Sequence, residues 1–488
     1  MSRQGTVESL AAFIAAEEQR TATQRGAPQA APRDGWLPAR EHRLVGKAAR
    51  KTTPRAAHAG WRALPDRGDP IALLRGQDAG RVPQLVPIRW GRMSASPFAF
   101  YRGAALAMAA DLAATPVSGL RVQLCGDAHL MNFGVFAAPD RSLIFDVNDF
   151  DETLPGPWEW DVKRLAASVM IAARDRGFAA GQGREAALSA VCSYRVWMNR
   201  YAEMDNRDVW YSRVMADDAL ALVKKTAGAR TATTAAMLAK ARSHDSLQAF
   251  DRLTTVVDGV PRFIDRPPLL SHLRPDQADL AYAGRRAFAD YRRTLSEQWR
   301  ILLDRYAFVD LAFKVVGVGS VGTRDLVVLF MGRDDGDPLI LQLKEAKPSV
   351  LEAYAGRSRY ARHGHRVVAG QRLMQAAGDP FLGWVRGTGT HGLDLYWRQL
   401  HDQKGSIPVD RVRPAGLCLY AGLCGWTLAR AHARSGDRIA IAAYLGTGER
   451  FDLAVADFAA AYADQSERDF ELLTKAVKAG RIAVETGI

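Results

Sequence analysis

Nine polar side chains suited to a phosphate site fall between residues 124 and 164: Asp127, His129, Asn132, Asp146, Asn148, Asp149, Asp151, Glu152 and Asp161. Carboxylates and amides offer hard oxygen ligands. A divalent cation such as magnesium is held by one or two carboxylates plus the phosphate oxygens of a substrate. Apolar runs at 120–124 and 143–147 lie on either side of the turn GDAHLMNFG. Short β-prone runs bounded by Gly, Asp and Asn read as strand, turn, strand. The first polar group therefore sits in a loop leaving one strand and the second at the end of the next. Asp and Asn also populate ordinary turns by bonding to nearby backbone, so the expectation rests on two strand ends facing one place.

The run Gly126-Asp127-Ala128-His129-Leu130-Met131-Asn132 resembles the G-D-x-H-x-x-N catalytic loop of aminoglycoside phosphotransferases and related kinase-like enzymes. The resemblance implies that Asp127 is the base that takes or orients a hydroxyl proton, and that Asn132, five residues on, is a metal ligand. Cys125 stands where that family has a His. Asn148-Asp149-Phe150-Asp151-Glu152 is similar to the family's metal-binding I-D-W/F-E/D segment, which makes Asp149 the second ligand. Asp146 is the alternative, because it lies 14 residues after Asn132 and Asp149 lies 17 after it. The stretch GPWEWDVKRL, with Asp161 twelve residues beyond Asp149, is similar to the family's following helix start. It implies a positional role for Asp161, bonding back to the catalytic-loop backbone or capping its own helix. His129 and Arg102 are also assigned positional roles. Arg102 belongs to a group with Arg81, Arg89 and Arg92 that could clamp phosphate. RMSASPFAFYRG, GDAHLMNFG and FDVNDFDE together resemble an uncharacterised bacterial family, domain of unknown function 2252, from about Trp61 onward.

A second candidate stretch comes much later. Gly317-Val318-Gly319-Ser320-Val321-Gly322 is a G-x-G-x-x-G between β-prone runs at 309–316 and 326–331, and a third run at 339–343 ends in Lys344-Glu345. A dinucleotide fingerprint needs its glycines to open a helix, whereas a second strand follows here. Strand, glycine loop, strand and lysine-bearing strand resemble the unit by which protein kinases cover and hold ATP phosphates. The resemblance implies backbone contacts at Gly317, Gly319 and Gly322, a phosphate-binding Lys344, and Glu352 as its ion-pair partner. This unit follows the catalytic loop by about 190 residues, the reverse of the kinase order, so a circular permutation is expected.

Composition sets the limits. The 488 residues exceed one ordinary domain. A net charge of +13 and a pI near 9.7 favour anionic partners without choosing among them. No apolar run approaches the twenty residues of a membrane span. The first twenty residues lack a basic start followed by an apolar core, so no secretory signal is expected. The four cysteines form no CxxC pair, which fits reduced thiols in the cytoplasm and argues against a zinc site.

The expected fold is α+β: a kinase-like, two-lobed and permuted architecture. A flexible basic leader is expected over 1–57, with a short helix at 7–20. A large helical lobe covers 58–306, with single helices at 98–112 and through the aromatic stripe Phe288 to Tyr306. A β-rich nucleotide lobe covers 307–405, and helices completing the large lobe cover 406–488, beginning at 414–434. The expected activity is ATP- and Mg2+-dependent phosphoryl transfer to an unidentified small-molecule or protein hydroxyl acceptor, with no membrane or nucleic-acid partner. Nucleotidyl transfer, metal-dependent phosphoester hydrolysis through His129, and non-catalytic nucleotide binding are the rival readings.

Overall fold

A computed structural model describes residues 37–218, 221, 246–272, 287–315, 317–385, 393–400 and 409–487. The protein is a mixed α+β fold in which a helical assembly and an antiparallel sheet each have their own apolar core.

The helical assembly is built on α6 (Trp158–Asp175), α7 (Ala180–Glu203), α10 (Pro414–Ala433) and α12 (Arg450–Lys478). Small residues let α7 and α10 approach closely. A β-carbon on Gly425 would stand 2.0 Å from the Ala190 carbonyl oxygen, and Trp197 stacks on Trp426 with centroids 4.0 Å apart. Gly425→Ala must therefore push two backbones apart. We expect a loss of about 1–3 kcal/mol, the usual cost of overpacking a core, read as a lower urea midpoint. An unchanged midpoint would mean that the helices do not meet there.

The sheet runs in the order β11-β12-β10-β9-β8-β7, every neighbouring pair antiparallel. Its strands are β7 (Leu270–His272), β8 (Ala307–Lys314), β9 (Asp325–Met331), β10 (Pro338–Glu345), β11 (Gly383–Trp384) and β12 (Leu395–Gln399). Between β10 and β11 the chain forms α9 (His363–Met374).

Several boundaries differ from the sequence reading. The short helix expected at 7–20 lies outside the described residues. The leader is ordered at its end: α1 (Ala39–Thr52) packs on α11 (Arg438–Leu445), and Arg50 and Arg55 donate to the carbonyls of Tyr444 and Leu445. Basic side chains that look solvated in a list of residues here cap the end of a helix. The span 98–112 is two helices, α4 (Pro97–Gly103) and α5 (Ala105–Ala113), broken at Ala104. The aromatic stripe is also broken, between Leu295 and α8 (Glu297–Leu303), because residues 293–296 form a turn. Within the span expected to be helical, β5 (Thr254–Val257) and β6 (Val260–Phe263) form a hairpin. Because β7 pairs with β8, the sheet begins well before residue 307. The α10 helix packs on α7.

Candidate functional site

Two small ribbons assemble the acidic side of the site. β1 (Arg121–Leu124) pairs with β4 (Leu154–Pro157), so Leu124 lies opposite Leu154 and the turn after β1 meets the segment before β4. Gly126 has φ +85°, and a β-carbon there would sit 2.3 Å from the Glu152 carbonyl oxygen, so only glycine fits that contact. β2 (Phe133–Ala137) pairs with β3 (Leu143–Val147). The Asn148 N–H donates to the Asn132 carbonyl at 2.8 Å, which brings Asn132 to the start of the Asp149 segment.

The loop from Cys125 to Asn132 is held from beneath. Asp161, in the first turn of α6, accepts from the Cys125 N–H at 2.8 Å and the Gly126 N–H at 3.1 Å, with His432 Nε2 at 3.2 Å. Asn132 Nδ2 donates to the Asp127 carbonyl at 2.7 Å. Arg164, one turn beyond Asp161, grips Asp127 Oδ1 through Nε at 2.6 Å and Nη2 at 2.5 Å. Burial still outweighs the charges of Arg164 and Arg102 and lifts the Asp127 carboxyl above its ordinary range. Burial, helped by Arg102 and Arg164, pushes His129 well below its ordinary value. The imidazole is then neutral. Its Nδ1 accepts from the Met131 N–H at 3.2 Å, so its proton sits on Nε2, 3.8 Å from Asp127 Oδ2.

The lysine strand meets this acidic segment. Lys344 Nζ donates to Asp151 Oδ2 at 2.6 Å, and the Tyr396 hydroxyl donates to Oδ1 at 2.5 Å. Lys344 faces Tyr396 and Asp325 on the two neighbouring strands. Burial opposes ionisation of Asp151, but Lys344 and Tyr396 together hold its carboxyl below the ordinary value. Asp149 goes the other way, raised by burial and then by the charge of Asp151. Burial raises Glu152 and Asp325 to about 7. This is a crowd of carboxylates with too little positive charge to keep all of them ionised.

Asp325 carries a testable consequence. Its folded pKa of about 7 lies above the unfolded value of about 3.9. The native state therefore binds the extra proton, and stability falls as pH rises from about 4 to 7. Asp325→Asn removes that slope. The variant should match wild type near pH 4 and be more stable by roughly 2–4 kcal/mol above pH 7.5, read as melting temperature against pH. Equal melting temperatures at pH 8 would refute it.

Over the acids lies the glycine loop, residues 317–322, which joins β8 to β9 without opening a helix. Arginines from the N-terminal third of the chain hold its carbonyls: Arg92 bonds Gly317 at 2.5 Å, and Arg81 bonds Gly319 at 2.9 Å and Val321 at 2.5 Å. Loop, acids and arginines enclose a cavity of 420 Å³. Asp127, Asn132, Asp149, Gly317, Gly319 and Arg102 are among its lining residues.

The remaining candidates lie elsewhere. Asp146 is fully buried and spent on Arg430 Nη2 at 2.6 Å and the Ala376 N–H at 2.9 Å, so it faces the α9–α10 side and not the cavity. Glu352 sits 3.7 Å from His363 and makes no pair with Lys344, whose partner is Asp151. Gly322 has φ +88°, packs on Arg81 and is not among the lining residues; its role is the turn. Asp151 and Arg164 both stood inside recognised motifs, yet nothing local marked them as ion-pair partners of Lys344 and Asp127.

The donor chemistry suits magnesium. Asn132 Oδ1 and Asp149 Oδ2 carry no hydrogen bond among the described residues, while Asp149 Oδ1 takes the Asp151 N–H at 3.1 Å. Two such oxygens are enough for a cation that brings phosphate oxygens with it. No cluster of three or more His, Cys, Asp or Glu among the described residues is placed to hold a metal by itself. The described cysteines are free, buried thiols, and no described helix is long and apolar enough to cross a membrane.

Fold and site define an α+β protein with an acidic cleft beneath a glycine loop. A family model described as an uncharacterized protein conserved in bacteria, domain of unknown function 2252, matches residues 81–476, and the chain belongs to that family. No curated protein and no solved structure matches it.

Proposed function

We propose that this chain is a magnesium-dependent phosphotransferase that moves the terminal phosphoryl group of ATP to a hydroxyl acceptor. In this reading the helices and the sheet are the two lobes of a kinase-like fold, circularly permuted so that the nucleotide lobe follows the catalytic loop. One observation carries the reading: Lys344 and Asp151, 193 residues apart, meet at 2.6 Å beside the glycine loop. The unit of strand, glycine loop, strand and lysine strand thus closes over the acidic segment, the arrangement used to hold nucleotide phosphates.

Each residue then has a task. Asp149 and Asn132 would hold magnesium, which neutralises phosphate charge. Gly317 and Gly319, lacking side chains, let backbone N–H groups approach the phosphates. Lys344 is buried in its pair with Asp151 and is not among the cavity's lining residues, so its positive charge would reach the phosphates through that pair. Asp127, aimed by Arg164, orients the acceptor hydroxyl. It takes the proton as the acceptor oxygen bonds to phosphorus and the bond to the departing ADP oxygen breaks. A phosphoesterase using His129 as a ligand finds less support, because the neutral ring points its N–H, not a lone pair, toward Asp127.

A thermal-shift series with ATP, ADP and GTP, each with and without magnesium, tests the reading. A bound nucleotide at 100 times its Kd should stabilise the fold by about 2.7 kcal/mol, and the shift should need magnesium. Absence of a shift with every nucleotide would end the proposal. Release of ADP from labelled ATP marks phosphoryl transfer, and pyrophosphate marks nucleotidyl transfer.

A further inference from the structure

We infer that Arg102 is a catalytic residue of the cleft whose guanidinium grips the phosphoryl group in transit between nucleotide and acceptor; this rests on the phosphotransferase reading. The last turn of α4 presents it. Ser96 Oγ caps the start of that helix by accepting from the Ala99 N–H at 3.2 Å, and the helix stops at Gly103. Gly103 is pinned, since a β-carbon there would lie 2.7 Å from Met93 Sδ. Arg102 thus enters the cleft from a braced helix end.

Neighbouring cations are committed. Arg81 bonds loop carbonyls, Arg164 holds Asp127, and Lys347 Nζ donates to the Gly80 carbonyl at 2.6 Å. Arg102 lines the cavity, its Nε is buried without a partner, and no hydrogen bond or ion pair engages its guanidinium among the described residues. A half-buried guanidinium whose donors make no hydrogen bond is costly, and an arriving phosphoryl oxygen removes that cost.

Position selects which anion. The Arg102 carbonyl oxygen lies 3.9 Å from where a Gly319 β-carbon would stand. The Arg102 charge also acts on Asp127 and His129. The residue therefore neighbours both the loop that would cover the donor phosphates and the base that would receive the acceptor, and all three line one cavity. That cavity is where phosphorus leaves the ADP oxygen and bonds to the acceptor oxygen, with the acceptor proton passing to Asp127. An arginine that stabilises such charge is a large rate factor in phosphoryl transfer.

The test measures affinity of the full-length chain for Mg·ADP with and without aluminium fluoride, a mimic of the phosphoryl group in transit. Wild type, Arg102→Met and Arg102→Lys are compared. Wild type should bind Mg·ADP more tightly with aluminium fluoride present. Arg102→Met should lose about tenfold or more of that tightening, the size of a charge-assisted hydrogen bond, while its affinity for Mg·ADP alone stays unchanged. Arg102→Lys should fall between them, because lysine restores the charge without the fork. If Arg102→Met keeps the full increment, the inference fails, whether its Mg·ADP affinity is intact or reduced. If wild type binds no nucleotide, the phosphotransferase reading fails and this inference goes with it.

Discussion

With Asp127 replaced by Asn, magnesium-dependent ATP turnover should drop by about 10²–10⁴, the usual share of a positioned general base, while nucleotide affinity stays close to wild type. The side chains are nearly isosteric, and the amide oxygen still accepts from Arg164 Nε, which lies 2.6 Å from Oδ1. What disappears is a group able to take a proton. Asn132 Nδ2 bonds the backbone carbonyl of residue 127, not its side chain, so the neighbouring ligand keeps its place. Weakening the buried pair with Arg164 has a separate cost in stability, up to about 3–5 kcal/mol if the pair is broken outright. Turnover must therefore be compared where both proteins are folded. The nucleotide-induced melting shift serves as the control. Wild-type turnover in Asp127→Asn would remove Asp127 from the chemistry.

The second large effect is expected at Asp149. Asp149→Asn should abolish the magnesium-dependent part of nucleotide binding and leave the weaker metal-free part. Its carboxyl is raised by burial and by the charge of Asp151, so losing the charge should relieve repulsion in the empty fold. Asp146→Asn should do the reverse. It breaks the fully buried pair with Arg430 at 2.6 Å, lowering stability by about 3–5 kcal/mol, and leaves the magnesium dependence unchanged. Calorimetric titration of each variant with ATP, with and without magnesium, reads both. Retained magnesium dependence in Asp149→Asn would discard it as a ligand.

How much was legible can be argued residue by residue. The strands around 120–124 and 143–147, the helix after Asp161, and the glycine loop between two strands all follow from neighbouring residues: turn formers at the ends and β-prone runs between them. Asp161 was legible because its spacing from the loop is encoded within one short segment, and it bonds the Cys125 and Gly126 N–H groups. Helix interruptions were not. The breaks at Ala104 and at residues 293–296 are marked locally only by Gly103 and by Ser296 at a helix N-cap, signals too weak on their own to end a helix. The β7 strand, three residues long, is visible only through its pairing with β8.

The amino-acid sequence by itself determined the acid-and-amide loop, the lysine-ended strand, the glycine turn and the family. Its information there is local, carried by residue types at short spacing. Only the tertiary structure decided which partner each charge takes: Asp151 rather than Glu352 for Lys344, Arg164 for Asp127, Arg430 for Asp146. An ion pair depends on distance and burial in space. Those are set by how two ribbons and a six-stranded sheet converge, across sequence separations of up to 284 residues.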